Sequence, residues 1–368
     1  MNTVLFRNHT TEAFLALLRM GLWEKNLDSL SCFPLTSEEW HDVYRQALLQ
    51  TVSGIVYRGI LRLPDYLLPP EDILLRWVVR ADAVERKNRH MNEVVNELYA
   101  FFKGKKIRTV LQKGQGTASL YECPLMRECG DIDLYFPNRT ERNKADLLVQ
   151  QQGIQIGHGA DGSIHYEWKG IMVEHHSRLL DLYNPFLQGY LKELETQLGF
   201  SQVRLEKEDD KEVTVASPVL NLLMLNVHIL KHAIGLGIGL RQLCDMARAY
   251  YRWHGTMERR ELGEIYRKTG LSKWSNLLHS VLMEYLGVST SCLPDDMEKH
   301  ESPLPLFHII QQRGNFGRSA AGSSILEAGW QRKLFTLQSF FRNTRFVVRY
   351  APWEGVGMVS TLMKGQVR

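Results

Sequence analysis

The sequence predicts an α+β protein in which a small mixed sheet lies between two helical regions. Three observations carry that reading. Apolar residues recur at helical spacing through the first 104 residues, alternation typical of strands takes over between residues 105 and 184, and helical spacing returns after Pro185. No internal repeat is evident, and the 44% hydrophobic and 23% charged content is ordinary for a folded chain. A length of 368 residues is enough for about two or three cores.

In the first region, Thr11 to Leu18 and Ser37 to Gly54 each begin with capping residues and continue with apolar positions on one helical face. Pro64, Pro69 and Pro70 mark a break. Beyond it, Glu71 to Phe102 forms one long amphipathic helix, its apolar stripe running through Ile73, Trp77, Val84, Met91, Val95, Leu98 and Phe102. Gly104 ends it. Ile107 to Leu111 then reads as a short strand, Gly114 to Leu120 as a turn entering a helix, and Asp131 to Phe136 as a strand closed by Pro137. Thr140 to Gln152 is helical. Ile164–Trp168 and Ile171–His176 flank Lys169-Gly170 as the arms of a hairpin. After Pro185 only Glu212 to Ala216 interrupts the helical pattern, which continues through Val219–His232 and Leu240–Tyr251. Gly314 to Ser324 is the best linker. The expected layout is therefore a helical region over 1–104, an α/β core over 105–184, a helical domain over 185–312 and a helical tail over 313–368.

Charge is uneven along this layout. The total is only +4, but from Arg313 onward nine Lys/Arg face Glu327 and Glu354, a local +7 that leaves the preceding residues at −3. Such a tail suits nucleic acid, anionic lipid or an acidic partner, and equally a solvated helix surface. Five cysteines without a CxxC pair indicate neither a disulfide framework nor a zinc knuckle. With no signal-peptide pattern and no apolar run of membrane-spanning length, a cytoplasmic location is expected and no membrane span.

The chemistry concentrates in Gly130-Asp131-Ile132-Asp133-Leu134. Two carboxylates two residues apart on a strand share one face, where they repel each other and resist desolvation. A divalent cation relieves both costs, and hard oxygen ligands suit Mg2+. Short strands also carry such pairs on solvated faces, so the neighbours matter. Upstream, Leu111-Gln112-Lys113-Gly114-Gln115-Gly116 runs from a strand into glycines, with backbone N–H groups and the Lys113 ammonium suited to phosphate. Downstream, Glu174 is an acid inside an apolar strand, an expensive place without a partner. Asp131, Asp133 and Glu174 are thus the candidate catalytic and metal-binding residues.

These motifs resemble the polymerase-beta-like nucleotidyltransferase superfamily. More narrowly they are similar to a family of uncharacterised bacterial nucleotidyltransferases. The resemblance rests on Leu111 with Lys113-Gly114, Tyr121 with Pro124, Arg127, Gly130 to Asp133, Val173-Glu174-His175-His176, and a helical segment with His228, His232, Arg241 and Asp245. Gln115 departs from the Ser or Gly usual after the glycine, and the gap from glycine to the first acid is longer than common. The resemblance implies a nucleotidyltransferase-type sheet and transfer of a nucleoside monophosphate from a nucleoside triphosphate, ATP or another, to an acceptor hydroxyl. Pyrophosphate leaves, and Mg2+ or Mn2+ assists. It implies Lys113, Gly114, Gln115, Gly116 and Arg127 as the nucleotide-binding set. The acceptor is open between a small molecule, a protein and a nucleic acid end, and the sequence says nothing of oligomeric state.

Other features are weighed against structural roles. The turn count places His165 opposite Glu174, and His176 shares its face, so either suits a supporting role behind the carboxylates or simple strand hydrogen bonding. His228 and His232 have zinc spacing but no third ligand, and read as core histidines. Gly235 to Gly239 follows a helix, not a strand, and reads as an inter-helix turn rather than a dinucleotide fingerprint. Arg241 and Asp245 are spaced for a helical ion pair. Two rivals remain: a glycosyltransferase whose D-x-D binds a sugar nucleotide, disfavoured by the helical first hundred residues, and a non-catalytic interaction protein on a transferase scaffold.

Overall fold

A computed structural model describes residues 8–159, 162–206, 211–235, 237–256, 259–294, 301–313 and 344–357. The helices in the first part are α1 (His9–Trp23), α2 (Ser37–Leu49), α3 (Ser53–Ile60) and the long α4 (Glu71–Gly104). The Asn8 side chain caps α1 through the Thr11 amide, and Thr36 with Glu39 forms a capping box on α2, each meeting orphan N–H groups of a first turn. The stretch from Ser37 to Gly54, expected as one helix, divides into α2 and α3. Thr51 takes a left-handed φ of 53°, and the Ser53 amide that begins α3 donates to Glu128 Oε1 at 2.8 Å instead of continuing α2. The seven apolar positions expected along α4 are all buried.

The sheet is mixed and has seven strands in the order β3-β4-β5-β2-β1-β7-β6. They are β1 (Val110–Leu111), β2 (Ile132–Tyr135), β3 (Gly157–His158), β4 (Ile164–Trp168), β5 (Ile171–His176), β6 (Phe200–Arg204) and β7 (Glu212–Ala216). The short α5 (Gln115–Ala118) follows β1, and α6 (Arg139–Gln151) follows β2. The β4–β5 hairpin turns at Lys169 and Gly170, with φ of 50° and 80°, the doubly positive turn that matches strand twist. β2 runs antiparallel to β1 and parallel to β5, which sets Asp133 beside Glu174 and Tyr135 beside His176. Two strands were not foreseen. β3 is only two residues long, and β6, Phe-Ser-Gln-Val-Arg, is half-exposed at the sheet edge with too weak an alternation to announce itself.

The remaining helices are α7 (Gln188–Leu198), α8 (Pro218–Ile234), α9 (Leu240–Trp253), α10 (Arg259–Lys268), α11 (Ser272–Leu286), α12 (Leu304–Arg313) and α13 (Thr344–Tyr350). One apolar cluster joins residues of α1–α3 to residues of α8–α13, so the two helical regions share a core. A second cluster packs the later half of α4, from Met91 to Phe102, against the sheet. α4 contributes Ile73 and Trp77 to the first cluster and thereby ties the sheet to the helices. Full burial of a side chain of the Ile or Met class contributes about 1.5–3 kcal/mol. The linker expected at 314–324 and most of the basic tail lie outside the described residues. In the described part of the tail the basic residues Arg345 and Arg349 are exposed, while Val347 and Tyr350 are buried and Phe346 packs edge-on to Trp274 at 6.2 Å.

Candidate active site

One cavity of about 610 Å³ lies between the sheet and helices α8 and α9. Strand alternation brings the acids to it: Asp131, Asp133, Glu174 and His176 all line the cavity, together with Lys113 and Gly114. The ligand atoms of Asp133, Glu174 and His176 lie within 4.8 Å of one another, the grouping suited to a metal ion among the described residues. The set expected from the sequence had Asp131 in place of His176. Asp131 lies just ahead of β2, whereas His176 is brought in by the β5 register, its Nε2 2.5 Å from Asp133 Oδ1 and 3.6 Å from Glu174 Oε2.

The electrostatics separate the acids. Burial works to raise the Asp133 carboxyl, but the Lys113 ammonium, 3.4 Å from Oδ2, and His176 outweigh it and hold the group below the usual carboxylate range. The charge of Asp133, then burial, pushes Asp131 up. Glu174 is raised chiefly by burial and next by Asp133. A cavity with two reluctant carboxylates beside a firmly ionised one favours an added cation, and two oxygen donors with one imidazole fit a divalent ion.

The loop that delivers these acids is clamped from both sides. Asn88 of α4 donates to Leu125 O at 2.7 Å and Arg127 O at 2.8 Å. Buried Glu128 accepts from the Ser53 amide and hydroxyl and pairs with Arg80. Buried Arg248 of α9 donates to Leu120 O through two nitrogens, at 2.9 and 2.8 Å. Buried backbone groups along the loop thereby find partners despite the lack of regular structure.

Several expected site residues are engaged by other protein groups. Arg127 lines the cavity, but its guanidinium is taken up by its neighbours. Its Nε and Nη2 grip Asp245 at 2.9 and 2.5 Å, and its Nη1 reaches Glu128 O and Cys129 Sγ. Asp245 is held further by the Tyr121 hydroxyl at 2.7 Å, so the ion pair anticipated between Arg241 and Asp245 gives way to one with Arg127. The Gln115 side chain turns into α4, donating to Asn92 Oδ1 at 2.8 Å and Asn88 O at 3.2 Å. Gly116 is packed against Val215, and its amide closes a turn on Lys113 O at 3.2 Å. Lys113, expected to face phosphate alone, sits on Asp133. His165 does pair with Glu174 in register, but it is exposed and lies over Gly157, outside the cavity.

α8 and α9 bring to the cavity His228, His232 and Arg241, to which the sequence reading gave structural roles, and Lys231, which it did not single out. The imidazoles of His228 and His232 meet edge to face at 4.4 Å. Burial, then Lys113, depresses both; His232 is lowered to about 3. Their i, i+4 spacing was visible, but nothing in the sequence shows which sheet face the helix covers.

A mixed sheet carrying acids on adjoining strands, faced by a helical layer, defines a nucleotidyltransferase-type centre. The chain belongs to the family described as Uncharacterised nucleotidyltransferase, which it matches over residues 36–287. That membership places it in the nucleotidyltransferase class of enzymes. No curated protein and no solved structure matches the chain. Among the described residues no helix is long and apolar enough to cross a membrane.

Proposed function

We propose that the protein transfers a nucleoside monophosphate from a nucleoside triphosphate to an acceptor hydroxyl, releasing pyrophosphate. The observation that carries this is the meeting of Asp131, Asp133, Glu174 and His176 at one cavity beside the Lys113–Gly114 turn, in a chain of this family. Asp133, Glu174 and His176 would hold a divalent ion, Mg2+ or Mn2+, with Asp131 beside them. Such an ion supplies charge stabilisation at the phosphoryl oxygens and lowers the pKa of a hydroxyl near it.

The chain's own groups supply the rest. The amides of Gly114 and Gln115 have no acceptor among the described residues, and with Gly114 lining the cavity they suit phosphate oxygens. Lys113 can turn from Asp133 toward the triphosphate when a cation neutralises that carboxylate. The acceptor oxygen forms its bond to the α-phosphorus in line as the bond to the β-phosphate oxygen breaks, and the departing pyrophosphate takes the electron pair. The acceptor hydroxyl, made more acidic by the ion, would lose its proton to a carboxylate at the cavity. The end of the cavity at Asp181, Tyr183 and Lys231 would receive the acceptor.

The test is thermal unfolding with each of the four common nucleoside triphosphates, with and without Mg2+ or Mn2+. Ligand at about a hundred times its Kd adds about 2.7 kcal/mol of stability, a readable shift in Tm. Stabilisation that requires both nucleotide and metal, and is lost in Asp131→Asn, is the expected result. No stabilisation with any of the four overturns the proposal.

A further inference from the structure

The helical wall of the cavity carries a cation whose position suits it for phosphate. Arg241 stands in the first turn of α9 and lines the cavity opposite the acids. Its Nη1 donates to Glu128 O at 2.9 Å, which fixes the direction of the guanidinium. Its Nε is buried and has no hydrogen-bond partner among the described residues. An unpartnered donor on a buried guanidinium is costly, and at the wall of a cavity a bound anion relieves that cost.

The neighbouring guanidinium of Arg127 also lines the cavity but has no donor nitrogen to spare. All three nitrogens of Arg127 are engaged by Asp245, Glu128 O and Cys129 Sγ, and the carboxylate neutralises its charge at short range. Because Asp245 is also tied to the Tyr121 hydroxyl, it is not released to Arg241. Burial and then the charge of Arg127 work against the charge on Arg241, while Asp245 and Asp131 work for it. Asp245 is thus committed to Arg127, and Arg241 is left without a close ion pair among the described residues.

Resting on the nucleotidyl-transfer reading above, we infer that Arg241 is the guanidinium that binds the phosphate chain of the nucleoside triphosphate. Arg127 and Asp245 act as positioning residues: their ion pair fixes the loop carbonyl of Glu128 on which Arg241 is oriented. The phosphate chain then lies between two walls, with the acids and any bound cation on the sheet side and Arg241 on the helix side. A planar fork suits two phosphate oxygens at once, which an ammonium cannot match.

The experiment uses the full chain with inorganic tripolyphosphate and with ATP, each with Mg2+, and measures affinity and Tm on the same samples. Arg241→Gln should weaken tripolyphosphate and ATP binding by about tenfold or more, the scale of losing a charged hydrogen-bonding partner. Its ligand-free Tm should stay near that of wild type. Arg241→Lys should recover only part of the affinity, and it serves as the readout if the Gln variant folds poorly. The double variant Arg127→Gln/Asp245→Asn, which removes both charges together, should change affinity less than Arg241→Gln does. Wild-type affinity in both Arg241 variants, while Asp133→Asn abolishes binding, overturns the assignment of Arg241 and leaves the nucleotidyl-transfer reading standing. A wild-type protein that binds neither probe with Mg2+ or Mn2+ overturns both.

Discussion

Asp131 and Asp133 stand two residues apart, yet their surroundings push them in opposite directions. Asp133 is buried between Lys113 and His176 and held ionised, whereas Asp131 faces the charge of Asp133 with less to offset it. The two Asn substitutions should therefore differ in sign. Asp131→Asn removes a repulsion and should leave the ligand-free Tm equal or higher. Asp133→Asn strips a buried ion pair of one partner and should cost about 3 kcal/mol, read by urea unfolding. Equal losses in both would contradict this electrostatic picture. Lys113→Met extends the argument. Read from sequence, with only phosphate opposite it, that change should spare stability. With Nζ 3.4 Å from Asp133, it should lower both Tm and triphosphate affinity, the Tm less than Asp133→Asn does because the lysine remains partly solvated. An unchanged Tm would mean that the Lys113–Asp133 contact contributes little. The acids were legible because alternation on a strand is a local rule. The partners of Arg127 and Arg241 were not, because the choice of which guanidinium meets Asp245 depends on how α9 docks 118 residues away from Arg127.

At the scale of elements, the hairpin could be read because its turn chemistry is local: Lys169-Gly170 fixes the register that sets His165 opposite Glu174. The break between α2 and α3 could not be read, since its cause is Glu128, 75 residues further along, accepting the Ser53 amide. That break matters to the site. α3 begins against the loop carrying Arg127 and Glu128, and a Cβ on Gly54 would lie 2.2 Å from Met126 O. Backbone cannot yield as a side chain does, so one element must move. Gly54→Ala should destabilise the protein by about 1–3 kcal/mol and weaken triphosphate binding in the same variant. Stability lost with nucleotide affinity intact would show that α3 supports the fold without positioning the loop. The edge strand β6 escaped the sequence for a related reason: Ser201, Gln202 and Arg204 are polar on both faces, and only pairing with β7 makes the segment a strand.

Across the whole molecule, helices from both ends of the chain share one core, and that core buries histidines that hydropathy treats as polar. His279 is the clearest. It is 1% exposed, its Nε2 lies 2.8 Å from the Tyr250 hydroxyl, and its Nδ1 has no partner among the described residues. Protonation would place a second N–H where nothing accepts it, so burial lowers the pKa from 6.5 to about 3. The titratable groups in contact with it are Tyr250 and Tyr266, both raised chiefly by burial and therefore neutral. A histidine whose folded pKa is depressed adds stability that is fully present above its unfolded pKa. As pH falls below about 6.5 the unfolded chain takes up the proton and the folded one does not, until about pH 3. In that window each such histidine removes about 1.4 kcal/mol of stability per pH unit. His279→Gln keeps a hydrogen-bonding group for Tyr250 without a titrating nitrogen. The variant should be somewhat less stable than wild type at pH 7.5, through imperfect packing, yet lose less stability on going to pH 5. The check is urea unfolding of both proteins at intervals between those pH values. The two stability curves should converge on acidification, with a slope difference approaching about 1.4 kcal/mol per pH unit below 6.5. Parallel curves would mean that His279 takes its proton in the folded protein.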